Sequence, residues 1–261
     1  MSGKEMRLLH LTDLHMRHAL AGSADRLKRL SRDIPANLER VAKRLEDWSP
    51  DVIVMTGDLL DVPDEVVDGS LLETDPAGYQ QSVEESAADY RWMREWLEAT
   101  GLNWLVIPGN HDHRVAFHEV FGAALPDDRI NGWRFIGFDD DLDEKRAPFR
   151  PAGEVSRFIG ALEAETTSVP QVHLQHYILR PRVYRRSLYS HTPESGIVES
   201  IEQSGVVRCT LSGHFHPGAL CRNEKGITYS TAPAFCERPF PVRLIDFDRW
   251  SVTDVQDRTL D

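Results

Sequence analysis

The chain has 261 residues, 41% hydrophobic and 28% charged, with a formal net charge of −12. That length is enough for one large α/β domain, and the acidic balance argues against the broad basic footprint that duplex nucleic acid needs. No apolar run approaches a membrane span and no basic-apolar-small leader opens the chain. Cys209, Cys221 and Cys236 form no C-x-x-C pair, so the expectation is a cytoplasmic protein.

Residues 7–12 read as a short buried strand. Ile34, Leu38, Val41, Leu45 and Trp48 follow at spacings of four, three, four and three, one stripe of an α-helix. Pro35 suits its first turn, and Ser49-Pro50 ends it. Residues 52–56 form a second strand running into Gly57-Asp58. The acidic segment 59–79, broken by Pro63, Gly69, Pro76 and Gly78, is expected to be a loop insertion at the rim of a site at Asp58. Val83, Ala87, Tyr90 and Leu97 mark a second amphipathic helix, and Trp92, Met93 and Trp96 pack on it. A third strand, 104–107, enters Pro108-Gly109-Asn110-His111-Asp112.

Later strands are expected at 134–139, 172–179, 206–211, 227–231 and 243–248, with one helix at 154–165. A last strand near 252–255 is free to pair in the same sheet or across an interface, so the oligomeric state stays open. Parallel βαβ units followed by a more antiparallel half predict two mixed β-sheets flanked by helices, a four-layer αββα sandwich. With no repeat or linker, 1–261 reads as one domain.

The chemistry-bearing residues fall at strand exits. Asp13 and His15 follow the first strand, Asp58 the second and Asn110 the third; His176 lies within or just past a later strand, and His214 and His216 follow another. Ligands in open α/β sheets bind beyond the carboxyl ends of strands. Imidazole, carboxylate and amide oxygens suit first-row transition metals such as Mn, Fe, Co or Zn. Seven donors exceed one tetrahedral ion but suit two ions sharing a carboxylate, for which Asp58 is the candidate. His173 and His176 point to opposite faces if both lie in a strand, which makes His173 a structural histidine. The remaining histidines read as core or solvated residues, with His18 and His113 close enough to the motifs to reach a substrate.

The ordered series D-x-H, G-D, G-N-H-D, H and G-H-x-H, from Asp13 to His216, resembles the calcineurin-like metallophosphoesterase superfamily. Gly57-Asp58-Leu59-Leu60-Asp61 and Gly109-Asn110-His111-Asp112 with Arg114 are most similar to its cyclic-nucleotide phosphodiesterase branch. The departures are His113 in place of a second Asp, and Gln175-His176-Tyr177 where that branch carries His-His-Pro. The resemblance implies a first metal on Asp13, His15, Asp58 and His216, and a second on Asp58, Asn110, His176 and His214. It further implies that His111 contacts phosphate and assists the leaving oxygen, with Asp112 orienting its ring.

The implied function is a binuclear metal-dependent phosphohydrolase for a small-molecule phosphoester. It is read first as a phosphodiesterase, with cyclic nucleotides among the candidates, whose metal-bridging hydroxide attacks phosphorus in line. A nuclease or a nucleotide or sugar phosphomonoesterase on the same fold is the alternative, and a non-catalytic scaffold is disfavoured because every ligand is present. Candidate substrate contacts are Arg114, Arg180 and Arg182. The last two belong to an arginine-rich stretch, 180–186, that reads equally as a solvated loop.

Overall fold

The computed structural model describes residues 5–24, 26–163, 169–183 and 189–261. The first half builds a parallel unit from β1 (Met6–Leu11), β2 (Val52–Thr56) and β3 (Asn103–Ile107). The β1–β2 crossover carries α1 (Ile34–Ala42) and α2 (Leu45–Trp48), so the single helix expected there is split at Lys43 and Arg44. Pro35 sits in the first turn of α1, and Ser49 ends α2 in a left-handed conformation, φ 46°.

Residues 59–79, expected as a loop, are mostly helical: α3 (Asp64–Val67), α4 (Ser70–Thr74) and the start of α5 (Pro76–Ala99). The prolines and glycines that suggested a loop lie at helix starts: Pro63 and Gly69 precede α3 and α4, and Pro76 and Gly78 fall in the first turn of α5. Gly69 takes φ 79° between α3 and α4, and the Asp75 side chain caps α5 by accepting from Gly78 N with Pro76 in the first turn. The first turns of α5 are held by the side-chain pairs Gln80–Glu84 and Gln81–Glu85 instead of an apolar stripe. Its later part is buried at Ala87, Tyr90, Met93, Trp96 and Leu97. After β3, α6 (Arg114–Phe121) begins directly behind the G-N-H-D segment.

The second sheet opens with a hairpin of β4 (Asp127–Ile130) and β5 (Trp133–Gly137), followed by a short ribbon of β6 (Asp141–Leu142) and β7 (Pro148–Phe149). Then come α7 (Ala152–Glu163), β8 (Gln171–Leu174), α8 (Ile197–Ser204), β9 (Val207–Ser212), β10 (Ala219–Arg222) and β11 (Thr228–Thr231). The order is β10-β11-β9-β8-β5-β4. Its interior is parallel and only its outer pairs are antiparallel. The second half is the more antiparallel one, since every antiparallel pair among the described residues involves one of its strands, while α7 and α8 act as crossovers that return β8 and β9 in the direction of β5. Finally β12 (Pro241–Phe247) and β13 (Val252–Thr259) join the first sheet, giving β13-β12-β1-β2-β3. The carboxyl-terminal strand thus pairs within its own sheet.

Three apolar layers hold the four structural ones. Alternate residues of β1 and β2 split between them: Leu9, Leu11, Ile53 and Met55 pack in the cluster with α1, α5 and α6, while Leu8, Val52 and Val54 meet Phe135, Val172 and Leu211 between the sheets. Phe158 and Ile201 cover the far face of the second sheet at Ile136 and Val207. The αββα arrangement places the exits of β1, β2, β3, β8 and β9 at one edge.

Candidate metal centre

Backbone bonds lace the strand exits together beyond the sheets. Asp13 N, His15 N and Met16 N donate to the carbonyls of Gly57, Asp58 and Leu59, and Gly213 N donates to His176 O across the second sheet. Asp13, His15, Asp58 and His214 are all held at positive φ, 46° to 64°. Non-glycine residues rarely adopt that region, and such strain concentrates at functional sites. The glycines beside them allow the close approach: a Cβ on Gly109 would lie 2.3 Å from Asp58 Oδ1, and one on Gly213 would lie 2.8 Å from Asp13 Oδ2.

The side chains converge on Asp58. Its Oδ2 lies 3.5 Å from His15 Nε2 and 3.4 Å from His176 Nε2, while Oδ1 accepts from His111 N at 2.8 Å. Asp13 Oδ1 is 3.5 Å from His216 Nε2 and 4.0 Å from His15 Nε2. Ligand atoms of Asp13, His15 and Asp58 lie within 4.8 Å of one another, as do those of Asp58, His176 and His214. Asp58 belongs to both groups. The His176 and His214 rings stand 5.1 Å apart, and Asn110 and His214 line the same cavity as Asp58. All seven residues expected as ligands are brought to one place.

The donor set fits metal ions. His15 Nε2, His176 Nε2 and Asn110 Oδ1 are buried without a hydrogen-bond partner, a cost of about 1–3 kcal/mol for each group that a cation would remove. The opposite ring nitrogens are held: His176 Nδ1 by Thr56 O at 2.7 Å and His216 Nδ1 by Glu237 Oε1 at 2.7 Å, while His15 Nδ1 lies 3.2 Å from Asp61 Oδ1. Such partners fix the imidazole so that its free nitrogen faces the ion.

Electrostatics separate the two histidines beside Asp58. Burial depresses His15 to about 4 despite the nearby Asp61 and Asp58 carboxylates, so it is neutral at pH 7. Burial also works against a charged His176, but the adjoining Asp58 carboxylate outweighs it and holds the ring up at about 9. Burial would raise Asp58; the adjoining His176, then His111, instead hold it well below the usual carboxylate range.

One expected role is corrected. Asp112 does not orient the His111 ring. Its buried carboxylate accepts from Leu59 N, Leu60 N, Gly109 N and Tyr90 Oη, which clamps the β2 and β3 exits together. Burial, then the Asp58 charge, raise Asp112 to about 6 against the bonds from Gly109, Leu60 and Tyr90. The His111 ring instead sits between Asp64 Oδ1, 3.7 Å from its Nδ1, and Arg29 Nη2, 3.3 Å from its Nε2. Arg29 also binds Asp61 Oδ1 at 2.8 Å, and Arg17 Nε takes Asp61 Oδ2 at 3.0 Å.

The candidate substrate arginines divide. Arg114 lines the cleft but is engaged, 3.0 Å from Asp139 Oδ1 and donating to Asp140 O. Arg180 pairs with Glu202 at 3.1 Å, and with Arg182 it lines a separate groove. Tyr184, Arg185 and Arg186 of that stretch lie outside the described residues. His173 is a buried structural histidine on Gln171, and Gln175 turns into the sheet to bond Leu211 O and Ser212 Oγ. His113 caps α6 and meets Tyr79 Oη, His10 binds Thr56 inside the core, and exposed His18 packs on Trp92. Sequence reasoning missed Arg29, Asp64 and Glu237. Asp61 appeared in a motif without a role, and only its spacing of three from Asp58 hinted at one.

Two metal-capable groups that share Asp58 thus stand at the strand exits of an αββα sandwich. A family model, calcineurin-like phosphoesterase, matches residues 6–218, and the chain belongs to that family. A curated relative from Synechococcus sp., named a probable cyclic nucleotide phosphodiesterase, is 28% identical over 176 residues. The match spans 66% of this chain and 60% of that relative, less than two thirds of its length. The fold is shared with a dimetal phosphatase from Danio rerio, with TM-score 0.68, 12% identity and coverage of 99% and 100% of the two chains. It is shared as well with TT1561 of Thermus thermophilus, with TM-score 0.55, 13% identity and coverage of 98% and 99%. No helix among the described residues is long and apolar enough to cross a membrane.

Proposed function

We propose that the protein is a binuclear phosphodiesterase, with Asp13, His15, Asp58 and His216 holding one ion and Asp58, Asn110, His176 and His214 the other. The observation that carries this reading is the Asp58 Oδ2 atom lying 3.5 and 3.4 Å from two imidazole nitrogens that lack hydrogen-bond partners. Mn, Fe or Zn suits the nitrogen and oxygen donors. Two such ions, when bound, supply Lewis acidity and lower the pKa of a water, so that a hydroxide is available for in-line attack on phosphorus.

The chain's own residues do the rest. His111, its side chain 19% exposed beside the buried carboxylates, would give a proton to the departing oxygen. Asp64 and Arg29 bracket its ring, and the Asp112 clamp fixes the backbone that carries it. A diester preference is supported by the resemblance of the G-D-L-x-D and G-N-H-D segments to the cyclic-nucleotide branch and by the named activity of the curated relative. A cytoplasmic setting is supported by three free thiols, and one domain by the continuous apolar layers.

The test uses protein stripped by a chelator and restored separately with Mn²⁺, Fe²⁺ or Zn²⁺, assayed on bis-p-nitrophenyl phosphate and p-nitrophenyl phosphate. The expected result is metal-dependent hydrolysis favouring the diester and abolished by Asp58→Asn. Preference for the monoester overturns the diesterase reading in favour of a phosphomonoesterase. Activity that survives both stripping and Asp58→Asn refutes the binuclear mechanism.

A further inference from the structure

The cleft around the metal centre has two lobes of opposite charge. The larger, about 980 Å³, is lined by Arg26, Lys28, Arg29 and Arg146 together with Tyr189 and Phe215. The smaller, about 560 Å³, carries Asp64, Asp68 and Asp141. Asn110, Leu142 and Arg146 line both lobes and mark the boundary. In a chain of net charge −12 the basic wall runs against the overall balance. Among the described residues Arg26, Lys28 and Arg146 have no ion-pair partner in the structure, whereas Arg7, Arg134 and Arg243 each sit on an aspartate.

Arg29 connects this wall to the reacting centre. Arg17 already neutralises Asp61, so the second bond from Arg29 to that carboxylate is not needed for charge balance. Its guanidinium is directed at His111, with Nε buried and unpartnered. A planar, always-charged group in that position matches a phosphoryl oxygen. Arg29, beside His111 and the residues that would hold the metal ions, is the cation nearest the reacting centre, which leaves the three outer cations to meet another anion.

We propose that the preferred substrate carries a second phosphate group beyond the scissile one, seated against Arg26, Lys28 and Arg146 while its ring system lies along Tyr189 and Phe215. This rests on the phosphoesterase reading and narrows its substrate class. A lobe of this size accommodates a nucleotide-sized body. The acidic lobe repels a polyanion, so the charge pattern also orients the substrate in the cleft.

The test compares the dinucleotide TpT with its 5′-phosphorylated form pTpT on the Mn²⁺-loaded protein. It is repeated on the double variant Arg26→Ala/Lys28→Ala and on a control, Lys43→Ala/Arg129→Ala, that removes two exposed cations elsewhere. Expected is a kcat/KM advantage for pTpT of about tenfold at low salt that shrinks at high salt, falls to near unity in the Arg26/Lys28 variant and persists in the control. Chelator-stripped protein gives an independent readout by calorimetry: thymidine 3′,5′-bisphosphate should bind about tenfold tighter than thymidine 5′-monophosphate, again only with the wall intact. Equal turnover of the two dinucleotides, or equal binding of the two nucleotides, overturns the inference. If bis-p-nitrophenyl phosphate is not hydrolysed, the diesterase reading fails by itself, and the binding comparison still decides the subsite.

Discussion

Gly109→Ala isolates the packing that holds the metal-bearing loops together, because it adds one methyl group and changes no charge. That methyl would lie 2.3 Å from Asp58 Oδ1, 2.4 Å from Asp58 N and 2.8 Å from His176 Cε1. Carbon needs roughly 3.5 Å from such neighbours, so the β2 and β3 exits must part by about 1 Å. The backbone nitrogen has no rotamer through which to yield. Overpacking costs about 1–3 kcal/mol, and the bond from His111 N to Asp58 Oδ1, made to a charged acceptor, adds about 1.5–3 kcal/mol when broken. The sum, about 2.5–6 kcal/mol, corresponds to a Tm lower by about 5–24 °C in a chain of this size. A 1 Å displacement of Asp58 should also reduce turnover by about 100-fold. Differential scanning calorimetry, metal titration and diester hydrolysis measure the three effects. Gly160→Ala, inside α7 with open space around its Cβ, serves as the control and should raise stability by about 1 kcal/mol. Wild-type Tm, metal content and turnover in Gly109→Ala would refute the reasoning.

Glu237→Gln removes the charge that fixes His216 and should weaken metal binding about 10- to 100-fold, measured by competition with a chromogenic chelator; unchanged affinity would make Glu237 a bystander. His176, held at about 9 by Asp58 once burial is outweighed, is protonated at pH 7 in the metal-free protein. Metal uptake should therefore release a proton, and apparent affinity should rise about tenfold per pH unit from 7 towards 9. Calorimetry in buffers of different ionisation enthalpy detects the proton, and buffer-independent heats would contradict the assignment. His10 is depressed to about 3, first by burial and then by Arg243, below its unfolded value of about 6.5. Its contribution is complete above pH 6.5 and is lost as the pH falls towards 3, up to about 5 kcal/mol. Urea midpoints from pH 7 to 4 should fall less steeply in His10→Gln than in the wild type; parallel curves would show that His10 is not responsible.

The ligands were legible because each lies within a few residues of a strand made recognisable by its apolar run. Val52–Thr56 and the exit at Asp58 needed only local sequence. Side chains that act across the fold gave no such signal. Glu237 reaches His216 from 21 residues away, and Arg29 reaches His111 from 82. Arg29 lies in a stretch without periodicity. Asp112 shows the opposite failure: its place beside His111 suggested a ring partner, but adjacent side chains diverge, and its carboxylate turned to backbone donors of the neighbouring exit. The helical nature of 59–79 was hidden because short helices joined at Gly69 and Asp75-Pro76 carry little apolar periodicity, although Asp-Pro before a helix is itself a start signal. Gly196 and Gly205 likewise flank α8, whose return direction decides that the second sheet is parallel inside.

The central claim is a pair of ions sharing Asp58, and counting them tests it most directly. Stripped protein titrated with Mn²⁺ or Zn²⁺, followed by calorimetry and elemental analysis, should take up two ions per chain, with Asp58→Asn losing affinity at both sites together. One ion per chain, or an Asp58→Asn variant that binds two with unchanged affinity, would contradict the account.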